Sequence, residues 1–315
     1  MLSKYAIKFT VLSISLLLIL FISPAYSKSN SSNTDESKSI DVQFPPNTSS
    51  DKKAILRQWI DHSSDALTLV YGEIPVEHFI TKIEFSKRDS GVVPWGEVSR
   101  NTIPEVTLVV NSKSSLNELK ADWTIYHEFS HLLIPYDAGD SRWFSEGLAS
   151  YYQNIIQARS GMFSETKMWQ KLFEGFERGR KDTNYSHQKL NYLSDNISQN
   201  HSYMRIYWSG ALYWLKADIA LRGLNIGYSL DKVLHELQKC CFDRYLSAVD
   251  ITKRLDKLSN STIFTSLFTD FSGSYTLPEY IDDLNMLGVV QHAGRVELEN
   301  NTENSHIRRA IFKGK

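Results

Sequence analysis

Cysteine is almost missing from this chain: 315 residues contain two, Cys240 and Cys241, side by side. That scarcity excludes a small scaffold stapled by disulfides. Adjacent cysteines close only a cramped ring, so the expectation is a pair of reduced, half-buried thiols on a helix. An excess of either charge is missing too. Thirty-five basic against 36 acidic residues give a formal −1, with no arginine-rich run or basic patch, which excludes a nucleic-acid binder. No internal repeat is present, so repeat arrays are excluded. A run of apolar residues long enough to span a bilayer is also lacking. The stretch from about Phe9 to Ile22 falls short of the roughly 20 residues required, and no cysteine follows it to carry a lipid.

What that short run does have is context. Lys4 and Lys8 precede it, and Pro24, Ala25, Tyr26 and Ser27 follow. Basic, apolar and small-residue regions in that order read as a signal peptide over residues 1–27, cleaved near Ser27, with no stable membrane span afterwards. The mature chain is then expected in the periplasm or outside the cell. Residues 28–50, rich in Ser and Asn and closed by Pro45 and Pro46, read as a disordered linker.

From Asp51 the pattern becomes compact. Ile55, Leu56, Trp59, Ile60, Leu67 and Val70 recur at helical spacing. "HFITKIEF", "GEVSR" and "VTLVVN" read as strands, with a turn at Pro104. Helical patterns fill the rest. The layout is α+β: a small mixed sheet, one key helix, then a helical body over residues 51–290, with 291–315 as a tail.

The key helix carries the chemistry. Ser115 and Glu118 form a capping-box signature, so a helix is expected to run from there to Leu133 or Ile134, where Pro135 stops it. His127 and His131 lie four apart, which puts both imidazoles on one face. Glu128 projects to the flank of that face, completing His-Glu-x-x-His: two nitrogens for zinc and a carboxylate beside the ion. A third ligand is needed. After the polar turn "DAGDSR", the segment "WFSEGLASYYQNIIQ" resumes a helical pattern, so the chain doubles back and Glu146 can face the pair. Trp143 and Phe144 would bury that helix end, and Gly147 would let these two helices approach. Asp137, Asp140 and Ser150 are within reach as partners for the histidines.

"HEFSH" followed by "WFSEGLASYY" resembles the gluzincin metallopeptidases, and most of all their peptidase-MA-like and glycyl aminopeptidase branches. In those families the W-x-x-E-G-x-x-x-Y segment supplies the third zinc ligand, here Glu146. "YWSGALYWLKADIALR" is similar to their tyrosine-bearing helix, and "SLDKVLHELQK" and "FTDFSGSYTLPEYIDDLNMLGV" to their closing helices, so the likeness extends over roughly residues 95–290. Two departures stand out. Fourteen residues separate His131 from Glu146, a trimmed loop, and the large N-terminal β domain and PDZ-like domain of full-length relatives are not seen.

The resemblance implies a zincin-like catalytic domain that binds one zinc per chain through His127, His131 and Glu146. Glu128 is then the general base and Tyr207 the donor to the oxyanion, with Tyr203 next in line. A peptide or protein substrate would lie along the strand before the helix, where Gly96 permits close backbone approach and Glu97 could hold a substrate ammonium. Aminopeptidase-like trimming and narrow endopeptidase cleavage both stay open, as does oligomeric state. The other class left open is a peptide-binding or envelope-protein-binding module that keeps the metal without turnover.

Overall fold

The computed structural model describes residues 39–88, 91–135, 140–224, 227–242 and 246–314. The signal peptide expected at 1–27 lies outside them. Four strands form one sheet: β1 (Ser39–Gln43), β2 (His78–Phe85), β3 (Trp95–Arg100) and β4 (Pro104–Val110). Their order is β1-β2-β4-β3, with β1, β2 and β4 parallel and β3 antiparallel to β4 at the edge. The mixed sheet expected from the sequence is thus present, with one correction. Residues 39–43, inside the segment read as a disordered linker, form β1. Ile40 and Val42 pack against the core, enough apolar surface to hold one edge strand onto β2.

Helix α1 (Ser50–Tyr71) starts at Ser49, whose hydroxyl accepts from the Lys52 amide, and ends at Gly72 in the left-handed region. Leu56, Trp59, Ile60 and Leu67 bury its inner face. In β2 and β4 alternate residues point into the core, among them Phe79, Ile83, Val106 and Leu108.

The helix that carries the two histidines is not one unbroken rod. The capping box at Ser115 and Glu118 is formed and opens α2 (Leu116–Ala121), but the chain then breaks before α3 (Thr124–Ser130) and a 3₁₀ turn at His131–Leu133. The cause is local. Asp122 is extended, and its carboxylate accepts from the Thr124 amide at 2.8 Å, an Asx turn that starts a new helix. Phe129 meets Phe79 edge to face at 5.3 Å, so α3 lies against the buried face of the sheet.

The helical body comprises α4 (Arg142–Arg159), α5 (Glu165–Lys181), α6 (Leu190–Asp195), α7 (Ile197–Asn200), α8 (Tyr203–Gly223), α9 (Leu230–Cys241), α10 (Ala248–Ser259), α11 (Ile263–Ser272) and α12 (Ile281–Met286). Gly147 does serve close packing, but against α8 rather than the histidine helix. A Cβ on Gly147 would stand 2.2 Å from the Gly210 Cα, and one on Gly210 would stand 2.0 Å from the Trp143 carbonyl oxygen. The α4 and α8 backbones therefore touch, as only paired glycines allow.

Two further expectations are overturned. Cys240 and Cys241 are not free thiols; they form a disulfide with each other in the last turn of α9. Residues 291–315 are not a loose tail. They complete the hairpin β5 (Val289–His292) with β6 (Arg295–Leu298) and form α13 (Ser305–Lys313), which buries Ile307 and Ile311. Arg159 on α4 donates to the Ile311 carbonyl at 2.7 Å, pinning that helix down. Among the described residues no helix is long and apolar enough to cross a membrane.

Candidate metal centre

Helices α3 and α4 bring together the three side chains singled out as zinc ligands. The Glu146 Oε2 stands 3.2 Å from the His127 Nε2 and 3.7 Å from the His131 Nε2. One ligand atom from each of the three lies within 4.8 Å of the others. Donors held about 2.0–2.2 Å from a common tetrahedral ion stand roughly 3.3–3.6 Å apart, so this set fits zinc with a small contraction. A 2-His-1-carboxylate set with one side open to a cleft is also the donor chemistry of hydrolytic zinc sites.

Each histidine is oriented from behind. His127 Nδ1 donates to the Gln153 Oε1 at 2.8 Å, which leaves its Nε2 lone pair for the ion. His131 Nδ1 meets the Ser145 hydroxyl at 3.0 Å. Asp137 and Ser150, the partners expected from the sequence, are not the ones used: Asp137 lies outside the described residues, and Ser150 offers its carbonyl to Asn154. The carbonyls of the turn after α3 are tied down from three directions. Arg100 donates to His131, Gln238 to Leu132 and Tyr71 to Leu133. None of these five supports was foreseen. Gln153 had a signal, seven residues beyond Glu146 on the same face of α4; Tyr71 and Gln238 come from distant segments and had none.

Glu128 sits beside the pair, beneath β3. A Cβ on Gly96 would stand 2.6 Å from the Glu128 Cγ, so the bare glycine makes room for this carboxylate. Burial, reinforced by Glu146 and Glu97 and opposed by His127, pushes the Glu128 carboxyl up to about 7. Burial, with help from His127 and Arg100 and against Glu146, takes His131 down to about 4. At His127 burial is outweighed by the Glu146 hydrogen bond and by nearby carboxylates, and its pKa rises. Glu146 is buried as well, yet both imidazoles and the Tyr207 hydroxyl hold it below the usual carboxylate value.

Tyr207, on the first turns of α8, stacks on His127 with ring centroids 5.9 Å apart and its hydroxyl hydrogen-bonded to Glu146. Burial, followed by the Glu146 and Glu128 charges, pushes its pKa far up, so it remains a donor. Tyr203, one turn earlier, is exposed and contacts Tyr207 edge to face at 6.3 Å. All of these residues line one cleft of about 790 Å³, together with Glu97, Trp95, Trp123, Arg100 and Arg142. Glu97 projects from β3 into that cleft, on the side of Glu128. Trp95, Trp123 and Tyr203 are exposed aromatics at its mouth.

Residues 136–213 match the model of the M61 glycyl aminopeptidase family, a segment that holds Glu146 and Tyr207 and lies just beyond His131. Comparison with curated proteins gives no match. Among solved structures, an aminopeptidase N family protein from Idiomarina loihiensis superposes with a TM-score of 0.58 at 16% identity, over 80% of this chain and 47% of that one. An M1 zinc metallopeptidase from Deinococcus radiodurans gives 0.46 at 15% identity, over 76% and 49%. This chain therefore spans about half the length of those proteins. The fold is similar to the first, and the segment around Glu146 to the glycyl aminopeptidases, in keeping with the likeness to the gluzincin peptidases read from "WFSEGLASYY"; the family match begins beyond "HEFSH".

Proposed function

We propose that the chain is an exported, zinc-dependent metallopeptidase, with one zinc per chain held by His127, His131 and Glu146. The observation that carries this reading is the convergence of two Nε2 atoms and one carboxylate beside Glu128 in an open cleft. A zinc ion at that position would supply the Lewis acidity that activates water and polarises a peptide carbonyl. Glu128, held against Gly96, is placed to take the proton from the attacking water. Tyr207 offers its hydroxyl to the oxyanion that develops at the carbonyl.

The substrate backbone is held by β3. Among the described residues that strand has one ladder partner, β4, so its other edge can receive an extended peptide by strand addition. Trp95, Trp123 and Tyr203 then close over the peptide side chains at the mouth. Glu97 would hold the ammonium of a substrate whose N-terminus reaches it; a longer substrate passes it by. Export rests on the order of basic, apolar and small residues in positions 1–27, with cleavage near Ser27 releasing the domain to the periplasm or medium.

Elemental analysis of the purified mature chain should find about one zinc, retained by the wild type and lost in His127→Ala or His131→Ala. Peptide hydrolysis should vanish on chelation and return with zinc. Blocked and free N-termini, compared on the same peptide, decide between trimming and internal cleavage. A chain that binds no zinc after zinc-replete growth overturns the reading.

A further inference from the structure

A second cavity, of about 320 Å³, opens beside the first and shares Trp123 and Tyr207 with it as a common wall. Its size is at the low end of the roughly 300–1,000 Å³ typical of ligand pockets, room for one side chain and its waters. It begins next to the metal ligands, because the Tyr207 ring of that wall stacks on His127. A side chain adjacent to the bond being cleaved is what such a position receives.

The lining is mixed: Trp123, Met204, Tyr207 and Trp208 face a polar side that holds two cations against one carboxylate. Lys171 and Arg178 both line it from α5, seven residues apart and so on one helix face. Neither has a salt-bridge partner among the described residues. Lys171 lies 5.5 Å from the Phe163 ring centroid, and Arg178 lies 4.9 Å over Trp208. Glu174, between them, accepts from the Gln170 amide at 2.9 Å and favours the charged form of both cations. Burial, then Lys167 and Arg178, lowers the Lys171 pKa despite Glu174 and Asp122. Burial lowers that of Arg178 as well. With Glu174 between them, the two cations leave one net positive charge facing this half-enclosed space, which favours an anion there.

The floor offers a matching donor. Gln153 lines the cavity and is only 8% exposed. Its Oε1 is committed to His127 Nδ1, which turns the amide nitrogen the other way, and Nε2 has no hydrogen-bond partner among the described residues. That N–H faces the cavity, where a ligand or a water can accept from it.

We propose that this cavity is the specificity pocket of the enzyme and takes an acidic side chain, Asp or Glu, of the substrate residue beside the scissile bond. Its carboxylate lies between Lys171 and Arg178, with Gln153 Nε2 donating from below. The assignment deepens the peptidase reading and depends on it for the word "substrate"; the binding itself can be measured without turnover.

The test uses full-length, zinc-loaded Glu128→Gln protein and isothermal titration with blocked hexapeptides. A single Glu is walked along the peptide, and Gln replaces it in a parallel set. At one position Glu should bind roughly 10- to 100-fold more tightly than Gln, the range of hydrogen bonds to charged groups. Lys171→Gln with Arg178→Gln should erase that difference while leaving the Gln peptides and the melting curve unchanged. Lys171→Glu with Arg178→Glu should shift the preference to Lys at that position. No position that distinguishes Glu from Gln, or a preference that survives both substitutions, overturns the pocket. If the preference is present but zinc-loaded wild type cleaves none of the peptides, the peptidase reading falls and the anion-binding pocket stands.

Discussion

Helix α4 carries a buried polar cluster at each end, and the two are built to opposite rules. At its far end, Tyr151 donates to Asp218 at 3.0 Å and Tyr152 to Asp231 at 2.6 Å. Arg159 pairs with Asp231 at 2.9 Å, and Arg222 with Asp218 at 2.8 Å. Two arginines meet two aspartates, charges cancel, and α4, α8 and α9 are tied into one unit. At its near end Glu146 joins Glu128, Glu97 and two histidines around an open cleft, with one ligand atom each from His127, His131 and Glu146 within 4.8 Å of the others. A cluster whose charges are matched within the fold stabilises it; one whose donors converge on a point the protein does not fill is arranged for something else.

The sharpest way to break this comparison is to change one carboxylate at each end. Glu128→Gln is nearly isosteric but cannot take a proton, so hydrolysis should fall about 10²–10⁴-fold with zinc content and unfolding midpoint unchanged. Steady-state kinetics beside elemental analysis and urea unfolding check it, and undiminished turnover would place the base elsewhere. Asp231→Ala should do the reverse. It leaves Arg159 buried without its partner, and breaking a buried pair in this way costs about 3–5 kcal/mol. Stability measured by denaturant should drop by that amount, while the fraction that stays folded binds zinc as before. If Asp231→Ala instead lost zinc first, the two ends of α4 would be one coupled unit and the contrast would fail.

The same contrast explains what could be read from the sequence. His127, Glu128, His131 and Glu146 were legible because helical spacing and one intervening turn bring them together locally. Strands β2, β3 and β4, α1 and the capping box were legible for the same reason. The cluster of Asp218, Asp231, Arg159 and Arg222 was not, since its members lie on three helices whose mutual placement no local pattern encodes. The break at Asp122 was missed because an Asx turn competes with helix continuation inside an otherwise helical pattern. Strand β1 was missed because one apolar face of five residues is too weak a signal beside so much Ser and Asn. The role of Gly147 was assigned to the wrong neighbour: the glycine showed that a close approach exists, and only Gly210 shows with what.

Tyr207 belongs to the open end, and a smaller change tests it. If its hydroxyl serves the transition state, Tyr207→Phe should lower kcat and kcat/KM together by about 10²–10³-fold. The ring would still stack on His127, so zinc content should hold. A melting shift with unaltered kcat would assign the hydroxyl to packing and pass the oxyanion role to Tyr203 or to no tyrosine.

The smallest expected effect probes the shell behind the ligands. Ser145 does nothing visible for α4 itself, whose N-cap is Ser141; its hydroxyl meets His131 Nδ1 and fixes the ring. Ser145→Ala should therefore weaken zinc binding about 10- to 100-fold, the usual cost of losing a partner behind a metal ligand. His131 is 12% exposed at the cleft edge, so water can replace the lost oxygen and metal-free stability should barely move. The matching change behind the other ring, Gln153→Met, should cost more, because His127 is only 4% exposed and water reaches it poorly. Chelator competition measures both affinities. If the two rings hold one ion, the double variant should depart from additivity by more than the roughly 0.3–0.5 kcal/mol seen for independent sites. Strictly additive losses would mean that Ser145 and Gln153 support the fold around each histidine separately and do not tune a shared centre.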